Sequence, residues 1–79
     1  MDNWHKLRAI IATVLRMPEE QVTAELSAEG VDTWDSLNHI SIIGAVEQEF
    51  GITLPTENLG AFMSVAQLKS LLAERGVAF

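Results

Sequence analysis

A chain of 79 residues without cysteine has to fold without disulfides and without thiolate metal ligands. So short a chain buries only about 60% of the surface that its unfolded form exposes, which leaves a modest core. Helix packing or partners must then stabilise it. The composition is 48% hydrophobic but only 6% aromatic, which favours a compact helical domain over a β-sandwich or a disordered tail. We therefore expect one domain over residues 1–79.

The charge balance indicates which partners this domain meets. Its 11 acidic and 5 basic side chains give a formal net charge of −6 at pH 7. Nucleic-acid phosphates and anionic membranes repel such a domain, whereas basic proteins are steered towards it. The sequence shows no secretory signal pattern and no apolar run near the roughly 18 residues that cross a bilayer. We therefore expect a cytoplasmic monomer that binds no nucleic acid and inserts into no membrane.

Apolar residues recur at helical spacing from the start of the chain. Their periodicity predicts a first helix from Asn3 to Arg16, which ends ahead of Pro18 because the residue before proline avoids helical geometry. The inward stripe consists of Trp4, Leu7, Ile10, Ile11, Val14 and Leu15.

A long acidic connection follows, from Met17 to about Asp35. Its widely spaced apolar residues Val22, Leu26 and Val31 are typical of anchors that hold a loop against a core. A structureless loop of this length is uncommon in a compact domain. The connection is therefore expected to contain a helical turn or to serve a function.

The second helix has the strongest signals. Asp35 and Ser36 both suit its start, and Gly51 is a favoured stop. At 100° per residue, one face is apolar apart from its histidine and is predicted to be core, with Ile42 beside it. This inward face consists of His39, Ile43, Val46 and Phe50. The opposite face consists of Leu37, Ser41, Gly44 and Gln48.

The remainder of the chain predicts two further helices. A short one spans Thr56 to about Leu59, and a capping box at Ser64–Gln67 opens a last helix that Gly76 ends. The inward residues of the last helix are Val65, Leu68, Leu71 and Leu72. The expected fold is all-α, a small four-helix bundle of three main helices and one short helix with a long first loop.

The ionisable side chains give little support for catalysis or for a metal site. His5 and His39 lie on different predicted helices without metal-ligand spacing, so we read His39 as a polar residue near the core edge. Ser36 and His39 share a helix face, but no acid that orients the histidine can be assigned. We therefore predict that the protein is not an enzyme and binds no metal ion. A small hydrolase that uses Ser36 and His39 is the alternative function from the enzyme class.

Ser36 is the most informative residue. A serine at this position is commonly a helix cap. Here Asp35-Ser36-Leu37 follows a long loop and opens an amphipathic helix, which ends in Glu-Gln-Glu-Phe-Gly-Ile over residues 47–52. This combination, with the chain length, helix order and acidic balance, resembles the acyl carrier protein family over nearly the whole chain.

The resemblance implies a covalent cofactor and a set of partners. A phosphopantetheinyl transferase moves 4'-phosphopantetheine from coenzyme A to Ser36, between Asp35 and Leu37, and the thiol of the arm then holds an acyl group as a thioester. The implied partners are acyl ligases, synthases and transferases. Cargo in this family enters between the helices, so His39, Ile43 and Val46 would line its entrance.

Some positions depart from the usual family pattern. Thr33 stands where glycine is frequent, and Trp34 is bulky; we expect it to pack over the loop, with a partner contact as the alternative. The face beside Ser36 carries no charge, which suggests a carrier with dedicated partner enzymes in lipid or secondary metabolism, such as polyketide synthesis, and not one for the general fatty-acid pathway. The predicted partner surface is Leu37, Ser41, Gly44 and Gln48. The alternatives are an aminoacyl, peptidyl or D-alanyl carrier, or an unmodified helical interaction domain.

Overall fold

The computed structural model describes residues 2–54 and 64–79, which form helices around a shared apolar core. The three α-helices are α1 (Asn3–Leu15), α2 (Ser36–Phe50) and α3 (Val65–Glu74). These ranges contain no strand, only an isolated bridge between Ser27 and Ser64. The all-α prediction is therefore confirmed. The predicted short helix from Thr56 to Leu59 lies outside the described residues.

Helix α1 has a side-chain cap at its start and a left-handed residue at its end. The Asp2 carboxylate accepts a hydrogen bond of 2.7 Å from the His5 amide. Arg16 adopts φ 57°, so the helix ends one residue earlier than the sequence predicted. The buried residues are Leu7, Ile11, Ala12 and Leu15, while Trp4, Ile10 and Val14 are partly buried.

Helix α2 is capped by Asp35, which makes Ser36 its first helical residue. Gly51 ends the helix as predicted, at φ 66°, a conformation that glycine adopts without steric cost. His39, Ile42, Ile43 and Val46 are buried. Phe50 was expected in the core but is only partly buried, because it is the last helical residue and packs against the core from its edge.

Helix α3 buries the four apolar residues that its periodicity predicted. Its capping box is only half as expected. The Ser64 hydroxyl accepts from the Gln67 backbone N–H at 3.2 Å and donates to the Gln67 side-chain oxygen at 3.0 Å. That oxygen does not accept from the Ser64 backbone N–H, as the capping box would require. The helix ends at Glu74, and Gly76 follows with φ 92°.

The long connection is pinned to the helices on both sides. It contains two short 3-10 turns, Glu19–Gln21 and Ala28–Gly30. The Arg8 guanidinium donates to the backbone oxygens of Glu19 and Val22, at 2.8 and 3.1 Å. The Val65 amide donates to the Leu26 oxygen at 2.9 Å, which ties the loop to α3.

The anchor residues behave as the spacing of the loop predicted. Val22 is buried, and Leu26 and Val31 pack partly buried against the core. The connection therefore has helical turns of its own and brings the chain back to the start of α2. No helix in the described ranges is long and apolar enough to span a membrane.

Candidate functional site

Ser36 is exposed at the first position of α2, and its hydroxyl takes no part in capping. The cap is Asp35, whose carboxylate accepts from the Asn38 amide at 2.9 Å. Within the described part of the chain, the Ser36 side chain makes no hydrogen bond. The hydroxyl is therefore open to a reagent from solvent.

The backbone around Ser36 suits a negatively charged group. The Asn38 amide bonds to the Asp35 carboxylate, and the His39 amide to the Asp35 backbone oxygen at 2.8 Å. The amides of Ser36 and Leu37 have no intrahelical partner, as is general for the first turn of a helix. The partial positive charge at a helix start favours phosphate, so the residues present fit a phosphate ester on Ser36.

Thr33 and Asn38 form a hydrogen-bonded brace around the serine, which the sequence analysis missed. The Thr33 hydroxyl donates to the Leu15 backbone oxygen at 3.0 Å. The Asn38 side-chain amide donates to the Thr33 backbone oxygen at 2.6 Å. We call these two bonds the Thr33 brace. Asparagine in the first turn of a helix and threonine before its cap are residue types that commonly bond to nearby backbone, which was the available signal.

Trp34 and His39 form a buried pair beneath the site. The indole N–H of Trp34 donates to His39 Nδ1 at 3.1 Å, and the side chains are only 3% and 1% exposed. Because Nδ1 accepts this bond, the neutral imidazole carries its proton on Nε2. Trp34 therefore belongs to the core, which also contains the loop residue Val22, and its N–H has a partner there.

The structure argues against the hydrolase alternative. His39 is buried and its Nδ1 is engaged by Trp34, while Ser36 is exposed and makes no hydrogen bond to it. His5 lies on α1, where its Nε2 is 3.2 Å from a Glu19 carboxylate oxygen. Across the described ranges, no group of three or more potential ligands is placed to hold a metal ion.

The residues predicted to contact cargo lie together on the inner face of α2. His39, Ile43 and Val46 are all buried there. A separate surface groove of about 320 Å³ lies between α1 and α2. Its lining does not include these three residues and consists of Lys6, Ala9, Ile10, Thr13, Val14, Ala45 and Glu49.

The predicted partner surface is exposed along α2. Leu37 is 77% exposed beside Ser36, and Ser41, Gly44 and Gln48 are exposed further along the helix. The structure adds Ile40, which is 50% exposed. Ile40 was not among the residues predicted for this surface, although its position three residues after Leu37 and off the inward stripe was a usable signal.

Comparisons with known proteins agree on one family. A family model described as a phosphopantetheine attachment site matches residues 5–72, which include Asp35, Ser36 and Leu37. The acyl carrier protein of Treponema pallidum is 35% identical over 60 residues, covering 76% of this chain and 77% of that protein. The acyl carrier protein of Petrotoga mobilis is 32% identical over 72 residues, covering 91% and 85%. That of Thermosynechococcus vestitus is 32% identical over 74 residues, covering 92% and 90%.

Proposed function

Because the chain belongs to the acyl carrier protein family, we propose that Ser36 is the residue that bears its 4'-phosphopantetheine arm. The family carries this group covalently and acts as a carrier, not as a catalyst. One observation carries the assignment: the Ser36 hydroxyl is exposed directly after the capping Asp35 and makes no hydrogen bond within the described residues.

Loading is a group transfer from coenzyme A. The Ser36 oxygen forms a bond to the phosphorus that bears pantetheine, the phosphoanhydride bond of coenzyme A breaks, and adenosine bisphosphate leaves. The hydroxyl proton passes to a base of the transferase, because no base of the described chain is bonded to Ser36. The phosphodiester formed is an anion, which the partial positive charge at the start of α2 stabilises.

We propose an acyl cargo held as a thioester on the terminal thiol of the arm. The chain has no cysteine, so the arm supplies the thiol. Cargo that enters the core from the α2 side would contact His39, Ile43 and Val46 on its inner face. Dedicated acyl ligases, synthases or transferases would dock on the uncharged outer face around Leu37 and Ile40.

Intact mass spectrometry after incubation with coenzyme A and a phosphopantetheinyl transferase tests the attachment residue. We expect one added group on the wild type and on Ser41→Ala, and none on Ser36→Ala. Ser41 is the matched control, an exposed serine of α2 whose hydroxyl donates to the Leu37 backbone oxygen at 3.3 Å. Loading of Ser36→Ala would overturn the assignment, and a folded wild type that accepts no group would identify an unmodified interaction domain.

A further inference from the structure

We infer that Thr33 and Asn38 are positioning residues for the loading of Ser36, an inference that rests on the proposed function. The Thr33 brace runs from the last residue of α1, Leu15, through Thr33 to Asn38 in the first turn of α2. Ser36 lies inside the segment that this chain of hydrogen bonds closes. The brace therefore fixes the backbone that carries the serine relative to α1.

The brace is not needed to begin α2. The Asp35 carboxylate already caps the helix, and the buried Trp34–His39 pair holds this segment to the core. The bond between Asn38 and Thr33 lies instead on the exposed side of the turn, where Ser36 is also exposed. What the brace adds is a defined position for an exposed stretch of backbone.

Position matters for this reaction because the hydroxyl must approach phosphorus opposite the leaving group. A displacement of about 1 Å at a reacting group can cost roughly a hundredfold in rate. Without these hydrogen bonds the exposed turn would sample several positions. A smaller fraction of the complexes formed with the transferase would then hold the hydroxyl in position to react. Loss of the brace should therefore lower kcat for loading more than it raises KM.

The bond that joins the brace to α1 depends on the side chain of Thr33. The Thr33 hydroxyl supplies the bond to α1, and glycine, which is frequent at this position in the family that the sequence resembles, has no hydroxyl to donate. The same bond satisfies the Leu15 backbone oxygen, one of the carbonyls at a helix end that lack an intrahelical partner. A single side chain thus joins the end of α1 to the approach to Ser36.

Steady-state loading kinetics test this inference with the full chain, coenzyme A and a phosphopantetheinyl transferase. The test variants are Thr33→Val, which keeps the shape and removes the donor, and Asn38→Ala. Two variants serve as controls. Thr33→Ser keeps the hydroxyl, and Thr23→Val replaces threonine by valine at an exposed loop position outside the brace. We expect Thr33→Val and Asn38→Ala to lower kcat by about tenfold to a hundredfold with KM within about twofold. Thr33→Ser and Thr23→Val should load as the wild type.

The double variant and thermal unfolding separate positioning from stability. Because both residues act in one chain of bonds, the double variant should lose about as much kcat as the worse single variant. Wild-type kcat in Thr33→Val and Asn38→Ala would overturn the positioning role while leaving Ser36 as the loaded residue. A kcat loss that Thr33→Ser fails to rescue, or that Thr23→Val shares, would overturn it equally. Absence of loading on wild-type Ser36 would overturn the proposed function, and the inference with it.

Discussion

At the scale of single residues, the serine assigned to the arm is distinct from the residue that caps its helix. Asp35 accepts the Asn38 amide, while Ser36 is the first helical residue. We expect Asp35→Ala to lower the free energy of unfolding by about 1 kcal/mol, the usual cost of losing a cap. Ser36→Ala should change it by less than about 0.5 kcal/mol, as exposed substitutions do. Urea unfolding of both variants measures this, and equal costs would mean that the serine shares the cap.

Glu47 has a structural role that its sequence position does not reveal. Its half-buried carboxylate accepts from the Leu54 amide at 2.7 Å, which ties the segment after α2 back to the helix. Glu47→Gln keeps an acceptor but loses the charge, so we expect a loss of about 1 kcal/mol in the free energy of unfolding. Glu49→Gln, two residues on and exposed, is the control and should change it by less than about 0.5 kcal/mol. If the two variants unfold alike in urea, the Leu54 bond contributes nothing measurable.

At the scale of elements, the apolar periodicity and the capping and stop residues were enough to locate the three main helices. The apolar repeats located α1, α2 and α3, and Gly51 ended α2 as predicted. The end of α1 was misplaced because Arg16 adopts a left-handed conformation, for which its side chain gives no signal. The cap of α2 could not be assigned because aspartate and serine are both good caps and stand side by side.

The place of the candidate Ser36 at the start of α2 could be predicted from the sequence, but the residues that support it could not. Asp35-Ser36-Leu37 and its setting pointed to Ser36 directly. The Trp34–His39 pair and the Thr33 brace depend on which donors meet which acceptors after the chain has folded. Periodicity assigns faces but not partners, so the bond from the Trp34 N–H to a buried acceptor was not predicted.

The apolar residues of α2 are buried to different extents. Substitutions at them should therefore lower the free energy of unfolding by different amounts. Ile42 is fully buried, whereas Phe50 packs only partly buried at the end of the helix. We expect Ile42→Ala to lower the free energy of unfolding by about 2–5 kcal/mol, and Phe50→Ala by less. Thermal unfolding of the two variants gives the order. A larger loss for Phe50→Ala would show that the end of α2 is more deeply packed than the partial burial of Phe50 indicates.

At the scale of the whole molecule, charge and apolar exposure are segregated. The formal net charge is −6, and the long connection exposes the acidic residues Glu20, Glu25, Glu29 and Asp32. The outer face of α2 exposes Leu37 and Ile40 instead, with no charged residue before Glu47. We expect the net charge to steer a basic partner over long distances, and so to act on the association rate, and the apolar pair to make the contact that holds the partner.

This segregation predicts how the carrier docks on the transferase that loads it. We expect Leu37→Ala to raise the KM for the carrier by about tenfold, because burying a leucine side chain contributes roughly 1.5–3 kcal/mol and 1.4 kcal/mol is tenfold in affinity. Ile40→Ala should act in the same direction and less strongly, since Ile40 is only 50% exposed before docking, against 77% for Leu37. Loading kinetics at saturating coenzyme A measure both effects.

Salt concentration separates this apolar contact from an ionic one. Between about 0.1 M and 1 M salt the Debye length falls from about 10 Å to 3 Å, which weakens exposed ion pairs but not apolar contacts. Because salt also screens the long-range steering, we expect the KM for the wild-type carrier to rise modestly over this range, while the ratio of the KM of Leu37→Ala to that of the wild type persists at both ends. Ser70→Ala, at an exposed position of α3 outside the predicted partner surface, is the control and should bind as the wild type. A steep rise of KM with salt, together with an unchanged KM for Leu37→Ala, would move the docking site to the acidic residues Glu29, Asp32 and Asp35.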